Sequence, residues 1–300
     1  MDDQVLIQRV HQLQLACKHK VNHSLTGLYR SVFKGQGLEF DEIRAYTPGD
    51  DVRAIDWNVT ARLGEVHIKR FQEERQLNLI FVVDNSPSFA WSSQGRDRRQ
   101  VTAEICGLLG AAALDSNDQI GLLTFSEGMD EYIAPARGFG QLLRCLTVIL
   151  QPPKPVSKTS MVEALEHLNR LKLKRSIVVV VSDFFFEGFL EPLAVLNRHH
   201  DVVPIAIDDP REKQLSGGGL ACLSDVEAGG RQWLDMSSPL IQQLFSQQVA
   251  QRLKQRQQQF ALQGLRLCTH AMEEDPVESL LSFFMGRSSG LPIGSGDVSG

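Results

Sequence analysis

The sequence predicts an α/β fold with a doubly wound, mostly parallel sheet and helices on both faces. From residue 77 onward, apolar runs of strand length alternate with segments of helical length, which is the order that forms parallel sheets. The runs at residues 77–83 and 177–181 are continuously apolar, as strands covered on both faces are. Hydrophobic residues make up 42% of the chain, which is enough for a large core.

Three divisions of the chain are expected: an N-terminal arm at residues 1–75, a main domain at 76–286 and a disordered tail at 287–300. Within the arm, apolar residues at three- and four-residue steps predict a helix at 4–19. Charges and turn residues dominate positions 24–74, and we expect short extended segments there. The tail is rich in Ser, Gly and Pro, which is typical of disorder.

The main domain alternates strands and helices in a regular order. A hairpin is expected around Gly229 and Gly230, followed by a long helix with Ser238 as its N-cap and Pro239 in its first turn. The other strands are predicted at 77–83, 120–125, 177–181, 202–207 and 265–269, with a short one beginning at Tyr132, and the other helices at 98–115, 139–150, 160–171, 189–198 and 277–284.

Composition and missing motifs exclude several function classes. The chain has 31 Lys and Arg against 36 Asp and Glu, and its net charge of −5 does not suit a nucleic-acid binder. It has no P-loop motif, so we do not expect a P-loop ATPase. Its five scattered cysteines contain no CxxC pair, and no apolar run approaches the length of a membrane span or a signal peptide. We therefore expect a cytoplasmic protein.

Polar side chains follow the predicted strands where a parallel sheet places its ligands. Asp84, Ser86 and Ser88 come after the first core strand, Asp183 follows the most apolar strand, and Thr159 precedes a helix. Carboxylate and hydroxyl oxygens are ligands that suit Mg²⁺, with Mn²⁺ or Ca²⁺ as alternative ions. These loops contain no His or Cys, which disfavours zinc or copper.

The order D-x-S-x-S, a later Thr and a later Asp resembles the metal-ion-dependent adhesion site of von Willebrand factor A-type domains. Residues 118–125 resemble the second strand of those domains. Upstream, the blocks GQGLEFDEIR at 35–44 and YTPGDDVRAIDWNVTAR at 46–62 resemble the signature of the bacterial domain of unknown function 58 (DUF58) family. The likeness covers about residues 24–285 and implies a von Willebrand A-like domain behind the N-terminal arm.

The resemblance implies a protein-binding module whose metal takes up a partner's carboxylate. Ser86 and Ser88 would hold the metal directly, Thr159 would join in the partner-binding state, and Asp84 and Asp183 would bind it directly or through water. The expected partner is a MoxR-type AAA+ ATPase or its client, in a chaperone or assembly role. Some family members carry membrane spans near the N-terminus, and this chain resembles the short soluble form.

Two positions depart from the family pattern. Phe89 stands where relatives often have Met, and we expect it to pack in the core without affecting the metal. Lys158 adjoins the predicted metal ligand Thr159 where a small residue is more usual. A cation pointing into the site from there would weaken metal binding.

Two alternatives stay open. An Mg²⁺-dependent phosphohydrolase also places an Asp after its first strand, but such enzymes usually carry a second Asp two residues later, where this chain has Ser86. No GxSxG motif occurs either, and we expect no enzymatic activity.

The other alternative is a metal-free site, with binding through the arm. The charged block at 39–62 is expected to form a lattice of ion pairs, with a second binding surface as the other interpretation.

Overall fold

The computed structural model describes residues 23–34, 42–47, 52, 55, 57–70, 76–87, 89, 97–153, 159–213, 219–224 and 231–288. The helix predicted at 4–19 lies outside these residues. In chain order the helices are α1 (His23–Tyr29), α2 (Trp57–Leu63), α3 (Arg98–Asp115), α4 (Phe139–Ile149), α5 (Val162–Arg170), α6 (Leu190–His199), α7 (Pro239–Leu262) and α8 (Pro276–Ser288). The strands are β1 (Glu42–Ala45), β2 (His67–Arg70), β3 (Asn78–Asp84), β4 (Gln119–Phe125), β5 (Met129–Ala136), β6 (Ile177–Ser182), β7 (Asp201–Asp208), β8 (Leu220–Ser224), β9 (Arg231–Asp235) and β10 (Cys268–Ala271).

A six-stranded sheet in the order β10-β7-β6-β3-β4-β5 forms the centre of the fold. Its neighbouring strands are parallel except for the edge strand β5, which runs antiparallel to β4. The predicted α/β fold with a mostly parallel sheet is confirmed. The chain builds outward from β3 through β4 to β5, and outward from β6 through β7 to β10. The strand order therefore reverses between β3 and β6, which is where doubly wound sheets bind ligands.

Side chains of β3 alternate between two cores, as the period of a strand requires. Leu79, Phe81 and Val83 pack on the face covered by α1, α3, α4 and α8. Ile80 and Val82 pack on the opposite face, against α5, α6 and the C-terminal end of α7. Both faces of the central strands are thus buried, which explains why their sequences are continuously apolar.

The arm contains helices where the sequence predicts extended segments. The expectation is confirmed at β1 and β2, which pair antiparallel, but it is wrong at α1 and α2. Helix α1 continues as a π-helical turn, Arg30–Lys34, and buries Leu25 and Tyr29 completely against the core. These residues are four apart, so they share one helical face. Helix α2 ends at Leu63, and the next residue, Gly64, has a φ of +76°, the left-handed conformation common after helices.

The C-terminal part follows the predicted order of elements, although the last strand lies at Cys268–Ala271 rather than at 265–269. Strands β8 and β9 form the expected hairpin, and α7 begins at Pro239, with the Ser238 carbonyl accepting from the Gln242 N–H at 3.1 Å. Helix α8 extends to Ser288, so residues 287 and 288 are helical rather than part of a tail. The rest of the predicted tail, 289–300, lies outside the described residues. Within the described residues, no helix is both long and apolar enough to cross a membrane.

Candidate functional site

A pocket of about 510 Å³ opens at the carboxyl edge of the sheet, beside the switch point between β3 and β6. Four of the five predicted site residues line it: Asp84, Ser86, Thr159 and Asp183. They come from three separate loops, and the fold brings all four to one pocket. The fifth, Ser88, lies outside the described residues, as does Lys158.

Asp84 ends β3 and has only 1% of its surface exposed. Its Oδ1 accepts the backbone N–H of Ser86 at 2.9 Å, and its Oδ2 accepts the hydroxyl of Ser182 at 2.6 Å. The carboxylate is therefore held from two sides. Ser86 is equally buried, and its own Oγ accepts the N–H of Phe89 at 3.4 Å. Phe89 is fully buried in the hydrophobic core, as expected.

Asp183 follows β6 in a tight turn. Its Oδ1 accepts the backbone N–H of Phe185 at 3.1 Å. Phe184 between them has a φ of +58°, an uncommon conformation for a residue other than glycine, and such strain concentrates at functional sites. The N–H of Phe184 donates to the Ser182 hydroxyl at 3.0 Å, which fixes the turn to the end of β6.

Thr159 reaches the pocket from the loop before α5 and is buried, with 4% exposure. The loop is attached to the end of β4, because the N–H of Ser160 donates to the Ser126 carbonyl at 2.7 Å. The loop after β3 is attached to the same strand, since the N–H of Asn85 donates to the Phe125 carbonyl at 2.7 Å. Strand β4 therefore sets the relative position of the two loops that carry hydroxyl groups.

Both carboxyl groups of the site are costly to ionise where they lie. Burial and the charge of Asp183 together raise the pKa of Asp84 to about 7, although the hydrogen bonds from Ser182 and Ser86 act in the opposite direction. Burial also raises the pKa of Asp183, against the lowering effect of Arg98, the Phe185 N–H and Arg256. A cation placed between these groups would relieve this cost.

Two buried arginines lie near the carboxylates, and neither is among the site residues predicted from the sequence. Arg98, the first residue of α3, is 2% exposed and forms an ion pair with Glu212. Arg256 of α7 donates to the carbonyl of Asp183 at 2.7 Å and to both oxygens of Asp208 at 2.8 and 3.0 Å. Arg256 lies four residues before the buried Phe260, so helical spacing places both on the inward face of α7. This spacing is the sequence signal that could have identified Arg256.

The donor set fits a hard divalent cation. Asp84, Asp183, Ser86 and Thr159 offer only oxygen atoms, from two carboxylates and two hydroxyls, which is the chemistry of magnesium sites. Across the described part of the chain, no group of three or more His, Cys, Asp or Glu side chains has the geometry to hold a metal. A metal in this pocket would therefore depend on the hydroxyl groups as well as the carboxylates.

A family model described as "Protein of unknown function DUF58" matches residues 42–255. The chain belongs to this family. The matched residues include all four site residues in the pocket and Arg98. An uncharacterized protein of Mycobacterium tuberculosis (strain H37Rv) is 30% identical to this DUF58 chain over 234 residues, covering 76% of the chain and 73% of the relative. An uncharacterized protein of Mycobacterium bovis matches with the same values.

Solved structures resemble this DUF58 chain at low sequence identity. BatB from Bacteroides thetaiotaomicron is 11% identical with a TM-score of 0.42, covering 71% of the chain and 100% of BatB. The SpRpn10 VWA domain is 13% identical with a TM-score of 0.38, covering 75% of the chain and 100% of that domain. The fold assignment itself rests on the strand order and strand directions described above.

Proposed function

We propose that this DUF58 chain is a metal-dependent protein-interaction module. In this proposal Mg²⁺, or Mn²⁺ or Ca²⁺ in its place, is held by Asp84, Ser86, Ser88, Thr159 and Asp183. The observation that carries the proposal is the convergence of four of these residues, from three loops, on one pocket at the switch point of the sheet. Oxygen donors of this kind suit Mg²⁺, which commonly keeps positions open to further oxygen ligands.

The hydroxyls and the carboxylates of the pocket would have different roles in such a metal site. Ser86 and Thr159 present hydroxyl oxygens without adding negative charge, while Asp84 and Asp183 supply the charge that attracts a cation. The bound ion would supply a positive centre that an Asp or Glu of a partner protein completes. Ser182 and the backbone N–H groups of Ser86 and Phe185 keep the two carboxylates oriented toward that centre.

The partner in this proposal is a protein, and we expect a MoxR-type AAA+ ATPase or its client in the cytoplasm. Membership of the DUF58 family supports this choice. The net charge of −5 gives no electrostatic attraction to nucleic acid.

Purification of bound proteins from a native lysate tests this function. The wild type and Asp84→Ala would be compared in Mg²⁺ and in chelator, with Asp84→Asn to preserve the shape of the side chain. Glu166→Ala removes an exposed carboxylate outside the pocket and serves as the control. We expect a partner that the wild type and Glu166→Ala retain only in Mg²⁺ and that both Asp84 variants lose. A partner retained by every variant in chelator would contradict the proposal.

A metal-free interaction module is a second candidate, and the buried arginines favour it. Arg98 and Arg256 already place positive charge near Asp183 and lower its pKa against the effect of burial. In this case the pocket would keep its structure in chelator, and binding would not depend on divalent ions. Mg²⁺ titration followed by partner binding separates the two candidates, because only the first requires the ion.

We infer that the module is not an enzyme. The position two residues after Asp84, where aspartyl phosphohydrolases usually carry a second Asp, is the buried hydroxyl Ser86. Hydrolysis of a generic phosphate ester by the wild type in Mg²⁺, lost in Asp84→Asn, would contradict this inference.

A further inference from the structure

Helix α7 is much longer than the other helices on its face of the sheet. Its 24 residues span about 36 Å, whereas α5 and α6 have 9 and 10 residues and span about 14 to 15 Å. Arg256 contacts the ends of β6 and β7, so it marks the level of the carboxyl edge of the sheet. The residues of α7 before Arg256 therefore provide about 25 Å of helix, which continues past that edge and forms one wall of the pocket.

Three apolar side chains of this wall line the pocket, alongside Gln248 and Arg252 of the same helix. Phe245, Val249 and Leu253 are spaced four residues apart, so they lie on one face of α7, and all three line the pocket. Each is partly exposed, since Arg256 and Phe260 are the residues of α7 that are buried. The pocket thus combines a floor of carboxylates and hydroxyls with an apolar wall, which is the composition of sites that bind by shape and by a few polar contacts.

Two exposed cationic side chains line the same pocket, in addition to the buried Arg98. Arg252 of α7 lies with its guanidinium carbon 5.2 Å from the centre of the Phe185 ring. Lys213 ends the 3₁₀ turn Pro210–Lys213 that follows β7. Within the described part of the chain, neither side chain forms a salt bridge, and both are exposed. Asp208, Asp209 and Glu212 also line the pocket, but Asp208 and Glu212 are paired with Arg256 and Arg98. Arg252 and Lys213 therefore remain available to an anionic group that approaches from solvent.

We propose that the α7 wall docks the apolar side chains next to the acidic residue of a partner segment. The occupant is a short protein segment that carries an Asp or Glu with a Leu, Ile or Phe within three positions. The proposal rests on the proposed function for the acidic residue. Arg252 and Lys213 attract the segment, the floor takes its carboxylate, and Phe245, Val249 and Leu253 pack against its apolar residue. The volume of about 510 Å³ suits a few side chains.

Selection from a random peptide library displayed on phage tests this inference. The wild-type chain would be immobilised in Mg²⁺, and the affinity of a synthetic copy of the most enriched peptide would be measured for each variant. Val249→Ser removes part of the wall, and Ser86→Ala removes a hydroxyl of the floor. Leu244→Ser is the matched control, because Leu244 lies on the same helix, is 56% exposed and does not line the pocket.

We expect enriched peptides that pair an acidic residue with a nearby apolar one. Val249→Ser should weaken their binding about tenfold, because burial of one aliphatic side chain contributes at least a factor of that size, while Leu244→Ser should stay within about twofold. Enriched peptides with an acidic residue but no apolar preference would overturn the inference and leave the proposed function intact. Binding that is insensitive to Ser86→Ala and to chelator would instead overturn the proposed function.

Two further outcomes also count against the inference. A selection that enriches no sequence would exclude a peptide segment as the occupant of the wall. Sedimentation that shows a dimer in the wild type and a monomer in Val249→Ser would identify a second copy of this chain as the occupant.

Discussion

Ser182 and Asp84 are joined by a hydrogen bond across the switch point of the sheet, with the Ser182 hydroxyl donating to Asp84 Oδ2 at 2.6 Å. They are the last residues of the neighbouring strands β6 and β3. The same hydroxyl accepts the N–H of Phe184 at 3.0 Å. One buried side chain therefore orients both the Asp84 carboxylate and the turn that carries Asp183.

Ser182→Ala should lower the free energy of unfolding by about 1 to 2 kcal/mol, because the buried Asp84 oxygen loses its hydrogen bond. It should also weaken Mg²⁺ binding several-fold, since the carboxylate loses its orientation. Urea denaturation and calorimetric titration measure the two effects. Ser176→Ala is the control, because Ser176 is a buried serine just before the opposite end of β6 and donates to the Lys174 carbonyl at 2.7 Å. Equal loss of Mg²⁺ affinity in both variants would contradict the account.

Arg98→Met should destabilise the chain by about 1 to 3 kcal/mol, which is less than a fully buried ion pair would cost because Glu212 is 37% exposed. The variant removes positive charge near Asp183, so added Mg²⁺ should raise its melting temperature more than that of the wild type. Arg170→Met is the control, since its ion pair with Glu166 has side chains 70% and 50% exposed and should contribute less than about 1 kcal/mol. A smaller Mg²⁺ response in Arg98→Met than in the wild type would be inconsistent with this account.

The stability of the metal-free chain should fall as pH rises. Asp84 has a pKa of about 7 in the folded state, above the ordinary value of 3.8, so the folded state binds the proton more tightly than the unfolded state. The stability gained from the protonated group is complete below about pH 4 and is lost as pH rises through 7. In chelator, the decline in unfolding free energy from pH 5 to pH 8 should be smaller in Asp84→Asn, as measured by urea denaturation. The same decline in both proteins would exclude Asp84 as its source.

Tyr29→Phe should lower the free energy of unfolding by about 1 to 2 kcal/mol, because it removes a buried hydrogen bond. The Tyr29 hydroxyl donates to Asp118 Oδ2 at 3.1 Å, and Asp118 Oδ1 accepts the N–H of Leu77 at 3.0 Å. Burial and the charge of Asp118 raise the pKa of Tyr29 well above its ordinary value. Thr26→Val, which removes an exposed hydrogen bond to Asp115, should cost less than about 0.5 kcal/mol. If Tyr29→Phe had no effect, α1 would unfold independently of the sheet.

The strands and most of the site could be predicted because both follow from short-range patterns. A continuous apolar run identifies a central strand, and the polar residue that ends it must lie at the carboxyl edge of a parallel sheet. Asp84 and Asp183 each follow such a run, so the sequence was enough to place them together. The binding of a metal by these residues remains a prediction.

The remaining parts of the site depend on contacts between residues far apart in the chain. Arg256 reaches the Asp183 carbonyl across 73 positions, and Ser182 reaches Asp84 across 98. No local pattern specifies such pairs. Helix α1 was missed for a different reason, because its charged and polar neighbours hide an apolar face that is stabilised only by packing against the core.

Binding of Mn²⁺, followed through the loss of the electron paramagnetic resonance signal of the free ion, tests the central claim most directly. The account predicts that the wild type binds one Mn²⁺ ion, that Mg²⁺ displaces it, and that Asp183→Asn and Ser86→Ala bind it at least about tenfold more weakly. The control Glu166→Ala should bind like the wild type, since its carboxylate lies outside the pocket. A wild-type chain that leaves the free-ion signal unchanged, or variants that bind as tightly as the wild type, would contradict the account.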